Sequence, residues 1–439
     1  MVMSKKSGSK EKSKGTLALT RLVSTDPEPQ FLGDPAEFQA RFDAARSEAV
    51  HAMLHKIPAP RRSPPVLALE DVIGPEDVVK IRGCGRIVFH AVGDTGKGKH
   101  SSQTDIVDLM RADYDPSRPP TDQPAFLLHL GDVVYGTNKE DLYRDQFYRP
   151  NNKYPGRILG VPGNHDGEIN ENTDPKSLAA FRHNFVAKKP KRRAAAGSSL
   201  RPAMTQPGVY FLLEAPFVRV IGLYTNAADE AGFLSAEEIG FAQKDFLIDQ
   251  LKLIAGKRAD GDTAALLIAT HHPPYSASDH PGSKEMLDDF DDAFRQTGVA
   301  PDLFLSGHAH NYQRFTRSFT LGNRTMEIPF IVAGGGGHGA SPIQLREDGQ
   351  LVKTPLRGAD GDHSLQQYYN GYGYLLVKAT AEELNVEFYS SPPTRSGPTD
   401  SVTVDLEAHK IVRETGPLDH PLEGEVERHG KHKHHHGGN

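Results

Sequence analysis

The chain has 439 residues, enough for two or three domains or for one large α/β domain with appended tails. Hydrophobic residues make up 37% and charged residues 25%, which is ordinary soluble usage, and no stretch approaches the about 20 apolar residues of a membrane span. Lys+Arg 51 against Asp+Glu 57 leaves a net charge of -6, which argues against a general nucleic-acid binder, and the single cysteine, Cys84, excludes a disulfide framework or a cysteine-rich zinc site.

In chain order, residues 1–33 read as a disordered tail that opens on the basic, polar stretch MVMSKKSGSKEKSKG. The following GTLALTRLV is short, is interrupted by Arg21 and lacks a small-residue cleavage site, so a cytoplasmic protein is expected. Residues 34–81 read as a helical extension and linker, separate from the catalytic core. Phe38, Phe42, Ala45, Val50 and Leu54 have helical spacing, Asp34 and Pro35 suit the N-cap and first helical position, and PAPRRSPP follows.

A catalytic domain is expected over 82–408. Strand-length apolar runs recur there: RIVFHAV, AFLLHL, RILGV, VRVIGLY, ALLIAT, DLFLS and IPFIVA. Helical segments fall near 101–112, 138–147, 175–187, 235–255 and 285–297. This alternation predicts a layered α/β domain, and YGYLLVKA with LNVEFYS reads as an antiparallel pair, so the sheets are expected to be mixed. Residues 409–439 form a tail ending in RHGKHKHHHGGN. A solvated tail or cloning remnant is preferred there over a metal-scavenging one.

Five apolar runs end in polar residues: AVGDTG, LGDVVYG, VPGNHD, ATHHPPY and LSGHAH. Strand carboxyl ends are where α/β sheets bind ligands, so these residues should share one edge. The 21 histidines, in a chain without tryptophan, already point to metal chemistry. Asp94, Asp132 and Tyr135 supply hard oxygen donors suited to Fe(III). Asn164, His271, His308 and His310 add an amide carbonyl and imidazoles suited to Zn, Fe(II) or Mn. A bridging carboxylate would hold two ions about 3.5–4 Å apart, the spacing used for in-line displacement at phosphorus. Each motif alone is weak, since a Gly-Asp is usually a turn and an Asn-His usually a loop. Five in order, each at the end of a predicted strand, are specific.

The series GDTG, GDVVY, GNHD, IATH and GHAH resembles the signature blocks of the purple acid phosphatases, within the calcineurin-like metallophosphoesterases, over about residues 85–390. Gly96 stands where most metallophosphoesterases have the histidine of Asp-x-His, and Tyr135 follows the second block as in the purple subgroup. The resemblance implies a layered sandwich of two mixed β-sheets flanked by helices. It implies that Asp94, Asp132, Tyr135 and His310 hold Fe(III), that Asp132 bridges, and that Asn164, His271 and His308 complete a divalent site for Zn, Fe or Mn. His271 is assigned over His272 because the family's His-x-Pro-x-Tyr begins with the ligand, matching His271, Pro273 and Tyr275; His272 is the alternative. The implied activity is acid phosphatase: a metal-bound hydroxide attacks a small-molecule phosphate monoester. His165 would contact the phosphate or leaving group, Asp166 would orient His165, and His280 resembles the family's general acid, with a solvent-exposed loop histidine as the competing reading. Plant-type members carry a β-sandwich where this chain reads helical.

A phosphodiesterase or nucleotide hydrolase on the same scaffold, and a non-catalytic binder of phospho-ligands or metal, are the alternatives. A protein Ser/Thr phosphatase is disfavoured by Gly96. The basic loop KKPKRR at 188–193 is read as a solvated loop in preference to an anion-steering one. The GGGGHG run at 334–339 is read as a tight strand-end turn in preference to a phosphate cradle, since it lacks the Lys-Ser/Thr of a P-loop.

Overall fold

Runs of four to six apolar residues that are covered on both faces make the centre of two sheets. In the computed structural model the described residues are 54–416, apart from 97–101, 116, 118, 120–121, 137–138, 169–176, 229 and 344–351. The strands are β1 (Val66–Ala68), β2 (Ile87–Val92), β3 (Phe126–His129), β4 (Arg157–Gly160), β5 (Phe211–Ala215), β6 (Val218–Gly222), β7 (Ala265–Ala269), β8 (Leu303–Ser306), β9 (Tyr312–Leu321), β10 (Arg324–Ala333), β11 (Leu356–Arg357), β12 (His363–Tyr369), β13 (Tyr372–Ala379), β14 (Glu383–Ser391), β15 (Asp400–Asp405) and β16 (Lys410–Glu414). The helices are α1 (Glu70–Ile73), α2 (Pro75–Cys84), α3 (Ser102–Ala112), α4 (Asn164–Gly167), α5 (Ala179–Phe185), α6 (Ala242–Ala259) and α7 (Lys284–Thr297).

Among the described residues the strands form a nine-stranded sheet, ordered β1-β5-β6-β7-β8-β10-β9-β12-β11, and a seven-stranded sheet, ordered β16-β15-β14-β13-β2-β3-β4. Both are mixed. The first has a parallel centre of β6, β7, β8 and β10. The second has the parallel trio β2, β3 and β4, with β13 antiparallel to β2. The central strands β2, β3, β7 and β8 are buried at every position, as strands covered on both faces must be. β14 alternates instead, with Leu384, Val386 and Phe388 turned to the core. One apolar cluster contains side chains of both sheets. On the outside α3 packs on β13, and α6 packs on α7. Helix α7 starts where Ser283 Oγ accepts the Met286 N–H and stops where Gly298 takes a left-handed φ of 71°.

Two domain boundaries differ from expectation. β1 pairs in parallel with β5, placing Val66 opposite Leu212, so the stretch assigned to the extension and linker supplies an edge strand of the catalytic core. Three residues are too few to read as a strand until the partner is present. Likewise β16 pairs with β15, so the domain runs past 408. Most of the helix expected at 34–56, the tail before it and the His-rich end lie outside the described residues. No helix among the described residues is long and apolar enough to cross a membrane.

Strand β9 carries two arginines and does not read as a core strand, yet Arg314 and Arg317 are both buried. Arg317 is held bidentately by Asp291 of α7, at 2.6 and 2.8 Å. Arg314 reaches across to the other sheet, where Asp400 accepts from Nε at 2.7 Å and from Nη2 at 3.2 Å. The Tyr312 hydroxyl donates to the same carboxylate at 2.6 Å, and its ring stacks on Phe388 at 3.9 Å. These contacts tie β9 to β14 and β15. Asp400→Ala takes two charged hydrogen bonds from a buried guanidinium that keeps Glu414 and the Thr415 carbonyl, so stability measured by urea unfolding should fall by about 1.5–3 kcal/mol. A loss below about 1 kcal/mol, the level of an exposed pair, would show that Glu414 alone suffices for Arg314.

Candidate metal centre

The first three motif blocks follow β2, β3 and β4 of one sheet, and the last two follow β7 and β8 of the other. The parallel strands point their carboxyl ends at a common seam, stitched where the Gly93 N–H donates to the Ala333 carbonyl at 2.9 Å. Asp94, Asp132 and His308 are held in the left-handed region, with φ of 59°, 53° and 69°. Such backbone costs on the order of 1–3 kcal/mol per residue and persists only where the surroundings impose it. Hydrogen bonds impose it here. Asp94 N–H donates to the Gly131 carbonyl at 2.9 Å, His308 N–H to Asp94 Oδ2 at 2.9 Å, and His165 N–H to Asp132 Oδ1 at 3.0 Å.

The seven expected ligand residues come together as two groups of donor atoms. In one, the Tyr135 hydroxyl lies 3.1 Å from Asp94 Oδ1 and 3.1 Å from His310 Nε2, and His310 Nε2 lies 3.5 Å from Asp94 Oδ1. In the other, Asn164 Oδ1 lies 2.9 Å from His271 Nε2 and 3.2 Å from His308 Nδ1. Asp132 stands between them: its Oδ2 is 3.4 Å from His271 Nε2, and donor atoms of Asp94, Asp132 and His271 all lie within 4.8 Å of one another.

The hydrogen bonds on the far sides of the rings decide what this arrangement can hold. His271 Nδ1 lies 2.9 Å from the Leu130 carbonyl, and His308 Nε2 lies 3.2 Å from the Glu230 carbonyl. A carbonyl only accepts, so those nitrogens carry the protons. In the neutral rings His271 Nε2 and His308 Nδ1 are then lone pairs, both aimed at the Asn164 amide oxygen. Three acceptors and two carboxylates in a buried pocket fit a cation, with second-sphere carbonyls orienting each ring.

The titration behaviour agrees. Burial alone would lower His271, but Asp132 and Asp94 outweigh it and raise the ring to about 9. For Asp132, burial pushes upward and the charges of His271 and His165 win, holding it below the usual carboxylate range. Burial drives His308 well down, reinforced by the neighbouring rings. Tyr135 is raised well above 10 by burial and by Asp94 and Asp132, so a strong positive charge is needed to ionise it.

His272 is fully engaged elsewhere. Its Nδ1 meets Thr225 Oγ1 at 2.7 Å and its Nε2 the Ala228 carbonyl at 2.8 Å; burial and His271 lower it to about 3. The ring packs against His308 at 4.2 Å without offering a nitrogen to the centre. His165 and His280 flank the centre, each about a quarter exposed (27% and 26%). The His165 ring lies 4.6 Å from that of Tyr135, and the His280 ring lies 4.7 Å from His308 and 5.4 Å from His310. Asp279 Oδ1 sits 3.1 Å from His280 Nδ1.

Asp166 does not take the role expected of it. From the third residue of α4 its carboxylate folds back on the helix start and accepts N–H bonds from Gly163, Val133 and Val134 at 2.9, 3.1 and 3.4 Å. It joins the GNHD turn to the GDVV turn, and burial with Asp132 nearby raises it to about 7. The carboxylate beside the His165 ring is Glu168, 3.0 Å from Nδ1.

Sequence reading passed over His129. It lies buried beneath the centre, its Nδ1 accepting the Gly131 N–H at 3.2 Å and its Nε2 donating to Thr95 Oγ1 at 2.8 Å. It braces the two aspartate-bearing turns, and burial lowers it to about 4. Gln146 and His338 beside Tyr135 also went unread. The loop 188–193 contributes Lys188 and Arg193 to a separate groove shared with Arg61, Arg182 and His183.

Gly96 has a steric reason. A Cβ there would fall 2.2 Å from Tyr135 Cδ2 and 2.8 Å from Gln146 Oε1. A side chain at 96 and a tyrosine at 135 exclude each other.

The calcineurin-like phosphoesterase family model matches residues 87–312, which carry all five blocks. The chain belongs to that family. Among curated proteins it is 25% identical over 265 residues to purple acid phosphatase 15 of Arabidopsis thaliana, a match covering 54% of this chain and 44% of that one. It thus spans less than half the length of that relative. Among solved structures, PhoD is matched at 14% identity and TM-score 0.45, over 84% of this chain and 75% of that one. A dimetal phosphatase from Danio rerio is matched at 12% identity and TM-score 0.40, over 73% of this chain and 99% of that one.

The raised His271 yields a test of the metallophosphoesterase centre. A cation arriving at Nε2 must displace a proton at any pH below about 9, so affinity should fall about tenfold per pH unit on acidification. Calorimetric titration of metal-stripped protein with Zn at pH 7.5, in buffers of differing ionisation enthalpy, should show about one proton released. Release of none would mean that His271 is not a protonated ligand site in the metal-free protein.

Proposed function

We propose that the chain is a phosphomonoesterase working at a dinuclear centre of Fe(III) and a divalent ion, Zn, Fe or Mn. The observation that carries this reading is the division of the donors. A phenol and a carboxylate gather with His310 at one end, an amide oxygen gathers with two imidazoles at the other, and a carboxylate stands between them. Hard oxygen donors favour a trivalent ion and the nitrogen-rich set a divalent one. When bound, the ions would supply a water of lowered pKa and Lewis acidity toward the phosphoryl oxygens.

The chain's own residues do the rest. Asp132 and Asp94 fix the donor atoms through backbone hydrogen bonds, so little reorganises during reaction. His165 and His280 stand at the rim, exposed enough to meet a phosphate ester yet close to the buried donors. Protonated, either would bind a phosphoryl oxygen or hand a proton to the leaving alkoxide. Asp279 Oδ1 lies 3.1 Å from His280 Nδ1 and would orient the ring. Small-molecule phosphate monoesters are the proposed substrates.

The first test is the visible spectrum of protein produced with ample iron. Wild type should show a tyrosinate-to-Fe(III) band, and Tyr135→Phe should lose it while the Tm stays within a few degrees. A colourless, metal-loaded wild type would remove iron from the centre and leave a Mn- or Zn-dependent phosphoesterase. Aryl phosphate should be hydrolysed faster than the bis-aryl diester; the reverse order would make the protein a phosphodiesterase. His280→Ala should lower kcat most for esters with poor leaving groups, on the order of 10²–10⁴-fold for a lost general acid, and equal losses for all esters would exclude that role.

A further inference from the structure

Tyr135 lies outside the sheets, on the loop after β3, and neither its N–H nor its C=O joins a strand ladder. Buried backbone groups need partners, and here one side chain serves both. Gln146 Oε1 accepts the Tyr135 N–H at 2.8 Å, and Gln146 Nε2 donates to the Tyr135 carbonyl at 2.9 Å. Gln146 belongs to a π-helical turn, Arg144–Tyr148, closed by the Arg149 N–H on the Arg144 carbonyl at 2.9 Å. Such wide turns are uncommon and gather at functional sites. The Gln146 carbonyl in turn accepts from Gln103 Nε2 at 2.7 Å, which anchors the turn to α3.

The glycine run after β10 meets the same tyrosine from another element. Gly337 has φ 125°, and a Cβ there would fall 2.4 Å from the Gln103 nitrogen, so only glycine lets the loop lie on α3. That course brings down His338. Its N–H donates to the Asp94 carbonyl at 3.1 Å, and its ring lies parallel to Tyr135 with centroids 3.3 Å apart and planes 7° from parallel. His338 Nδ1 is buried and has no hydrogen-bond partner among the described residues, so the ring is held by its backbone and by the stack. The bare edge of Gly96 gives the phenol its space.

We propose that Gln146 and His338 are positioning residues that clamp Tyr135, Gln146 by its backbone and His338 by its ring face, and so fix the phenol oxygen between Asp94 and His310 and screen the ring from solvent. The inference builds on the metal-centre reading, but the clamp is a property of the chain and is measurable without metal.

The test uses the full chain stripped of metal. Hydroxyl-radical footprinting with mass spectrometry reads how readily Tyr135 is oxidised. His338→Ala should raise that rate severalfold, and His338→Phe, which restores a flat ring, should return it to the wild-type level. Gln146→Leu should raise it too, and should weaken iron retention by about tenfold or more in loaded protein, the usual cost of losing an outer-sphere contact. Oxidation of Tyr135 unchanged in His338→Ala would overturn the clamp, as would His338→Phe behaving like His338→Ala. If Gln146→Leu does not fold, the two His338 variants decide alone. If wild-type protein shows no tyrosinate band, the iron reading fails while the footprinting comparison still decides the clamp.

Discussion

Asp94 and Asp132 are essentially without solvent access, yet their carboxylates lie within a few ångströms of each other and of His271. Two buried like charges about 4 Å apart repel by about 4 kcal/mol even at an effective dielectric of 20. A positive charge must sit among them, as a proton on His271 or as a metal ion. Proton and cation thus compete for one place, and the outward hydrogen bonds of His271 and His308 leave the inner nitrogens free to accept the ion. Much of the local architecture serves this requirement: three site residues in left-handed backbone, a histidine brace beneath them, and Asp166 turned to the backbone N–H groups of two loops.

No single sheet supplies such a site. One sheet brings Asp94, Asp132, Tyr135 and Asn164, and the other brings His271, His308 and His310. The strained turns stand at the ends of strands buried on both faces, whose packing holds them in place. On the strand that follows His310, the Arg314–Asp400 pair and the Tyr312–Phe388 stack bind the same two sheets and help to hold the spacing between the donor sets.

Tyr135 and Gly96 are joined by one contact. The tyrosine ring occupies the space that a side chain at position 96 would need. The glycine at 96 and the tyrosine at 135, read as two separate details in the sequence, are one steric fact. Once Tyr135 is there, its backbone needs a partner and its ring a cover, and Gln146 and His338 stand in those places.

The fold class and the strand-end motifs were legible because each depends on local pattern: apolar runs of strand length, and polar residues of the right chemistry directly after them. The preference for His271 over His272 came from the resemblance to the family's His-x-Pro-x-Tyr, and in the structure both nitrogens of His272 are hydrogen-bonded elsewhere. Other features depend on partners distant in sequence. β1 is too short to show itself without β5, and β9 hides behind arginines whose charges are neutralised by Asp291 and Asp362 for Arg317 and by Asp400 and Glu414 for Arg314. Asp166 looked like a companion of its neighbour His165, but its place in α4 turned it to the backbone of another loop. Gln146 carried no signal, and His338 was hidden in a glycine run. The sequence by itself determined which groups end the strands and what chemistry they offer, because residue type and strand period are local. Only the tertiary structure decided which of them meet, which nitrogen of each ring faces the centre, and what holds Tyr135, because those depend on contacts between segments that the chain order keeps far apart.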